Sequence, residues 1–270
     1  MPLMGHLREL RRRVTICILA LIPGSVLGWI HYDTLVQFLA DPVCGVDVAG
    51  LVEGDTCGPL VINGLLGPFN LQIKVSVAAG LALASPIWLA QLWGFVTPGL
   101  HRHERRWTAG FVAAGVPLFF AGGALCYYIL PKATNLLLGF TPDDVRSIVD
   151  FNEYLSIVMR LMLVFGLAFE IPVFIVLLNL VGILPARRLA GWWRQIVFGV
   201  FVFSAVATPT GDPFTMSALA LPLCLLILAA YAFCRVHDAR AARRDVDYSA
   251  LADDETSPLD TTPSRLDDDN

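Results

Sequence analysis

Three carboxylates stand where a carboxylate is out of place. Glu104 sits among Arg102, Arg105 and Arg106 in the charged stretch from Thr97 to Trp107, and Glu9 stands beside Arg8, Arg11, Arg12 and Arg13. Glu170 lies between Phe169 and Ile171 in a long apolar run, with Pro172 following. An acid inside a basic segment is either neutralised by its neighbours or held ready for a visiting cation. For Glu9 the first option is a helical pair with Arg12 or Arg13, worth only about 0.3 kcal/mol. For Glu170 the chemistry differs, because an ionised carboxylate at a bilayer centre costs at least about 2.5 to 3.5 kcal/mol. It is expected to be protonated, and Pro172, which has no N–H, frees a backbone carbonyl that the acid could bond.

Other reactive side chains point to less. His101 and His103 form a bare H-x-H with no cysteine or carboxylate set at ligand spacing, so solvated histidines are expected and no metal site. There is no Walker loop, no H-E-x-x-H and no G-x-S-x-G. No catalytic set, cofactor or nucleic-acid partner is expected, and the chain reads as a non-enzyme. Lys74 stands inside an apolar run and is expected to snorkel to the outer interface. Cys17, Cys126, Cys224 and Cys234 fall in apolar runs as small buried thiols, whereas Cys44 and Cys57 share one polar loop, where a disulfide between them is expected.

The elements that must position these residues are membrane helices. Apolar residues make up 56% of the 270 and charged residues only 16%, against roughly 25% charged in a soluble domain. The apolar residues come as long separate runs, which favours a helical bundle over an outer-membrane barrel. Spacing of Leu3, Leu7 and Leu10 predicts an amphipathic surface helix over residues 1–13, followed by a first span from Val14 to His31. Thr34 to Pro68 carries Asp41, Asp47, Glu53 and Asp55 without Lys or Arg and reads as an external loop. Spans two and three are read from Phe69 to Val96 and from Thr108 to Leu130, with Lys132 to Asn152 as a second outer loop. Span four runs from Tyr154 to about Val181 and contains Arg160 and Glu170. Span five, Gln195 to Ala207, is short for a bilayer, and Phe214 to Cys234 returns as span six. The loops with Arg12, Arg105, Arg188 and Arg243 are expected on the cytoplasmic side and those with Asp55, Asp144 and Asp212 outside. The expected organisation is therefore residues 1–13, a six-helix domain over 14–234, and a basic then acidic disordered tail over 235–270.

Several stretches resemble the TatC family of the twin-arginine translocase. They are His6-Leu7-x-Glu9-Leu10-Arg11 before span one, Pro68-Phe69, Lys74 and Ser85-Pro86 in span two, and Gln91-x-Trp93-x-Phe95-x-x-Pro98-Gly99-Leu100 running into His103-Glu104-Arg105-Arg106. Phe165 to Pro172, Thr208-Pro209 with Asp212, and Leu219-Ala-Leu-Pro222 continue the series. The resemblance implies an all-α bundle of six transmembrane helices, concave and glove-like, with both termini cytoplasmic in the cell membrane. It implies a receptor for signal peptides with consecutive arginines, acting with small single-span TatA/TatB-type subunits, with further copies of itself and with the proton motive force to export folded proteins. By the same resemblance Glu9 and Glu104, with Leu10 and Arg105, receive the arginine pair. Glu170, Gln91 and Asp212 map onto contacts with partner proteins, Glu170 facing the concave side and hydrogen-bonding a polar group of an inserting helix. The family often carries polar residues near Met216 and Leu228, and both are apolar here. A competing reading is a proton-coupled small-solute carrier using Glu170 and Lys74.

Overall fold

The computed structural model describes residues 3–44, 60–96, 105–138, 149–208 and 213–242. Among them four helical stretches are long and apolar enough to cross a membrane: Leu7–Ile30, Ala109–Thr134, Phe151–Leu180 and Pro213–Ala241. A bent pair, Gly67–Leu83 with Ser85–Phe95, makes a fifth span, and the shorter apolar helix Trp193–Ala207 takes the place of the sixth. The chain is thus a multi-pass membrane protein built as a six-span helical bundle.

Helix α1 runs unbroken over Leu3–Ile30, so the amphipathic N-terminal segment and the first span are one helix. After His31 the chain continues as α2, Tyr32–Cys44. Here the loop expected from Thr34 onward is corrected. Leu35, Val36 and Leu39 recur at helical spacing and pack on the core, with Leu39 and Ala40 buried, and this burial outweighs the acids that had suggested a loop. Phe38 stacks on Tyr127 at 4.6 Å between ring centroids, which ties α2 to α5. A two-residue parallel bridge follows, β1 (Leu60–Val61) pairing with β2 (Val149–Asp150).

The second span is α3 (Gly67–Leu83) and α4 (Ser85–Val96), with a bend of 58° between them. Pro86 has no N–H to donate, so the helical ladder cannot run through this point. The Trp88 indole N–H donates to Leu81 O at 3.0 Å, satisfying a carbonyl that the bend opens. Helix α5 spans Arg105–Leu138 and passes through Pro117 and Pro131. The outer loop expected from Lys132 is therefore helical as far as Leu138. Asp150 caps the next helix, α6 (Phe151–Ala168), its Oδ1 accepting from Asn152 N at 2.8 Å and Glu153 N at 3.4 Å. Residues 139–148 of that expected loop lie outside the described residues.

Phe169 interrupts the fourth span, and α7 (Glu170–Leu180) resumes it. Then come α8 (Ala186–Gly191), α9 (Trp193–Ala207) and α10 (Pro213–Ala242). Helix α9 is 15 residues, about 22 Å against a hydrocarbon core of about 30 Å, so the expected mismatch is present. Asp238 near the end of α10 staples the α7–α8 turn: its Oδ2 accepts from Ala186 N at 2.7 Å and its Oδ1 from Asn179 Nδ2 at 2.9 Å.

Packing follows the membrane rule that small residues let backbones approach. A Cβ on Gly24 of α1 would lie 2.9 Å from Gly80 O of α3, and one on Gly122 of α5 would lie 2.5 Å from Phe165 O of α6. Two buried clusters result. One joins Leu71, Val75, Leu155, Phe165, Leu219 and Leu223, and the other joins Leu89, Trp93, Phe111, Phe119, Val173 and Leu177.

Candidate functional site

Glu9 lies two turns into α1 on the face that meets α4. Its Oε1 accepts from Arg13 Nε at 3.1 Å and Arg13 Nη2 at 2.6 Å, the i,i+4 pair that the sequence allows. Arg13 Nη1 donates to the backbone carbonyl of Gln91 in α4 at 3.1 Å. The guanidinium thus bridges two helices. It has room because residue 94 is glycine, where a Cβ would sit 2.5 Å from Nη1. Both Arg13 contacts fall on one oxygen of Glu9, whose side chain is 38% exposed, and Oε2 has no hydrogen-bond partner among the described residues. Leu10, next in sequence, is also exposed.

The same end of the bundle carries the segments that flank Glu104. Trp93 of α4 stacks on Phe111 near the start of α5 at 5.7 Å and is tilted against Phe174 of α7 at 6.1 Å. Arg105 opens α5. Glu104, His101 and His103 lie outside the described residues, as do Asp212 and Cys57, and Cys44 ends α2. Two helix–helix contacts, Arg13 with Gln91 and Trp93 with Phe111, therefore hold Glu9 and the helices that precede and follow Glu104 in sequence to one end of the fold. Gln91 enters this cluster through its backbone carbonyl.

Glu170 opens α7 and is buried, 7% exposed. Neither carboxyl oxygen has a hydrogen-bond partner among the described residues. The alternative bond to a carbonyl freed by Pro172 is not made. The carboxyl instead lies against α5 at Gly115, where a Cβ would meet Oε2 at 2.8 Å. A buried carboxyl without a partner forfeits hydrogen bonds that it made in water, and a donor brought in from outside would restore them.

Lys74 is tied down rather than simply reaching for the surface: Nζ donates to Asn152 Oδ1 and to Ser156 Oγ, each at 3.0 Å, linking α3 to the start of α6. Glu170 lies 14 residues beyond Ser156, about 21 Å along the span. The Glu170 and Lys74 pair that a carrier would use is not assembled. Arg13 and Gly94 are the site residues that sequence reasoning did not separate from their neighbours. The only signal was the i+4 spacing from Glu9 to Arg13. Among the described residues no group of three or more His, Cys, Asp or Glu could hold a metal ion.

Comparison with known proteins places this geometry. The family profile described as Sec-independent protein translocase protein (TatC) matches residues 5–222. A Sec-independent protein translocase protein TatC from Frankia casuarinae is 44% identical over 96% of this chain and 73% of its own length. One from Xylanimonas cellulosilytica is 43% identical over 90% of this chain and 87% of its own. A crystal structure of the twin-arginine translocase receptor TatC in DDM superposes with a TM-score of 0.71 at 31% identity, covering 85% of this chain and 99% of that one. The chain belongs to the TatC family of Sec-independent protein translocase proteins.

Proposed function

We propose that this chain is the receptor component of a twin-arginine protein export system. It binds the signal peptides of folded cargo at the end of the bundle that carries Glu9, and it supports their translocation with small single-span TatA/TatB-type subunits and further copies of itself. The observation that carries this reading is the Glu9 carboxylate, held by Arg13 through one oxygen with the other left open beside an exposed Leu10. A guanidinium offers a planar fork that a carboxylate meets bidentately, and lysine does not reproduce it. Glu9 receives one arginine of the pair and Glu104 the other, with Leu10 and Arg105 beside them. Glu170 offers its unpartnered carboxyl to a polar group on an inserting helix, and Gln91 and Asp212 contact the partner proteins.

The chain turns over no substrate, and the proton motive force supplies the work. It sits in the cell membrane with both termini cytoplasmic, a reading supported by the basic segments at Arg12, Arg105, Arg188 and Arg243. Residues 1–13 then face the cytoplasm, 14–234 form the membrane domain and 235–270 a cytoplasmic tail. Binding of a twin-arginine peptide and its twin-lysine counterpart to the purified full-length protein tests the proposal. The arginine peptide binds more tightly, and Glu9→Gln or Glu104→Gln each costs about 1.5 to 3 kcal/mol of that binding. Equal affinity for the two peptides, or undiminished affinity in both variants, refutes it.

A further inference from the structure

On the side of the bundle opposite the Glu9 end, a cavity of about 1080 Å³ opens between α2, α3, α5 and α6. Its walls are apolar, with Phe38 of α2, Ala82 of α3, Phe120 of α5 and Met159 of α6 among the lining residues. Two charged residues line it, Lys74 and Arg160, and both are cations. Lys74 is anchored to Asn152 and Ser156 as described above, with Asp150 near enough to feel its charge. Arg160 stands one turn below Ser156 on the same face of α6. It is exposed, and no hydrogen bond or ion pair joins it to any described residue. It lies nine residues into the span, about 13 Å from the helix start, where an unpaired cation is costly unless it reaches water or finds an anion.

We infer that this groove binds one anionic phospholipid, its phosphate held between Arg160 and Lys74 and its acyl chains lying along the apolar walls. The charge pattern selects an anion, since the lining contains no acid, and a guanidinium meets a phosphodiester as two parallel hydrogen bonds. The apolar walls select chains over a free anion. Helix α2 contributes Leu35, Phe38 and Leu39 to the lining, and Phe38 stacks on Tyr127 of α5, so apolar side chains close this wall. A zwitterionic headgroup brings its own ammonium toward two cations, so the net-anionic lipid is preferred.

Native mass spectrometry of the full chain, titrated with phosphatidylglycerol or with phosphatidylcholine of the same chains, tests the inference. One phosphatidylglycerol is retained with a preference of about tenfold or more, as two basic residues near one headgroup provide. Arg160→Gln abolishes the preference and Arg160→Lys keeps part of it. Ala82→Trp, which fills the groove and leaves both cations in place, lowers retention of both lipids and guards against a folding defect in the arginine variants. Equal retention of the two lipids by the wild type overturns the inference, as does an undiminished preference in Arg160→Gln. Displacement of the lipid by inorganic phosphate with no effect of Ala82→Trp would assign the site to a free anion instead. A groove that holds an acidic single-span peptide and no phospholipid would likewise overturn it.

Discussion

Replacing Gly94 by alanine tests whether Arg13 is the part that sets Glu9 in place. The new methyl would lie 2.5 Å from Arg13 Nη1 and 3.5 Å from its Cζ, so the guanidinium must retreat by about 1 Å to reach ordinary contact. The hydrogen bond to Gln91 O, now 3.1 Å, is then stretched beyond a useful length. A hydrogen bond from a charged donor contributes about 1.5 to 3 kcal/mol, and the 23% exposure of the Arg13 side chain favours the lower end. Alanine returns up to about 1 kcal/mol of helix propensity within α4. The net loss expected for Gly94→Ala is about 0.5 to 2 kcal/mol, and hydrogen exchange over Leu7–Arg13 should quicken while that of α5 and α10 stays unchanged. In an Arg13→Met background no guanidinium meets the methyl, so Gly94→Ala should be neutral or stabilising by up to about 1 kcal/mol. Unfolding midpoints of the four proteins in one detergent supply the double-mutant cycle, with a coupling of about 1.5 kcal/mol or more. If Gly94→Ala costs the same in both backgrounds, the glycine is required for some other contact and the reasoning fails.

Asp238→Ala removes the acceptor of Ala186 N and Asn179 Nδ2, and partial exposure lets water replace some of this, so stability should fall by about 2 kcal/mol by chemical unfolding. No loss would mean that the staple is idle. Glu170→Ala and Glu170→Gln should leave stability within about 1 kcal/mol of the wild type, because the carboxyl has no partner to lose. In a transport assay Gln should keep most of the recruitment of the single-span partner while Ala loses it, and a Gln variant as inactive as Ala would disprove the hydrogen-bonding role. Asp150 is held below the ordinary carboxylate range, first by the hydrogen bond from Asn63 and then by the amide of Asn152. Because its folded-state value is depressed, its contribution is present above about pH 4 and is lost as pH falls through the lowered value. The wild type should therefore out-melt Asp150→Asn at neutral pH, with the gap closing in acid. A gap that does not change with pH would place the contribution elsewhere.

The sequence by itself determined the class and the order of the spans. Six apolar runs divided by alternating basic and acidic segments leave few arrangements other than a helical bundle, since a bilayer tolerates no unpaired backbone. The shortness of α9 and the pairing option at Glu9 were also legible, because both depend on spacing along one helix. What spacing could not decide was every contact between helices. Thr34 to Cys44 reads as loop by charge, yet folds as α2 because Leu39 and Ala40 find a surface to bury against. The second span reads as one run from Phe69 to Val96, and its 58° bend at Pro86 and the indole of Trp88 that mends it are tertiary facts. Lys74 looked like a snorkelling cation until α6 brought Asn152 and Ser156 to its ammonium, and Pro172 offered Glu170 a carbonyl that it does not take. Gly94 and Gly115 were two glycines among 22 in the sequence, and only the approach of Arg13 and of Glu170 gives them separate meanings. Local patterns fix which segments leave water. Which side chains then meet depends on how the helices cross, and no single helix carries that information.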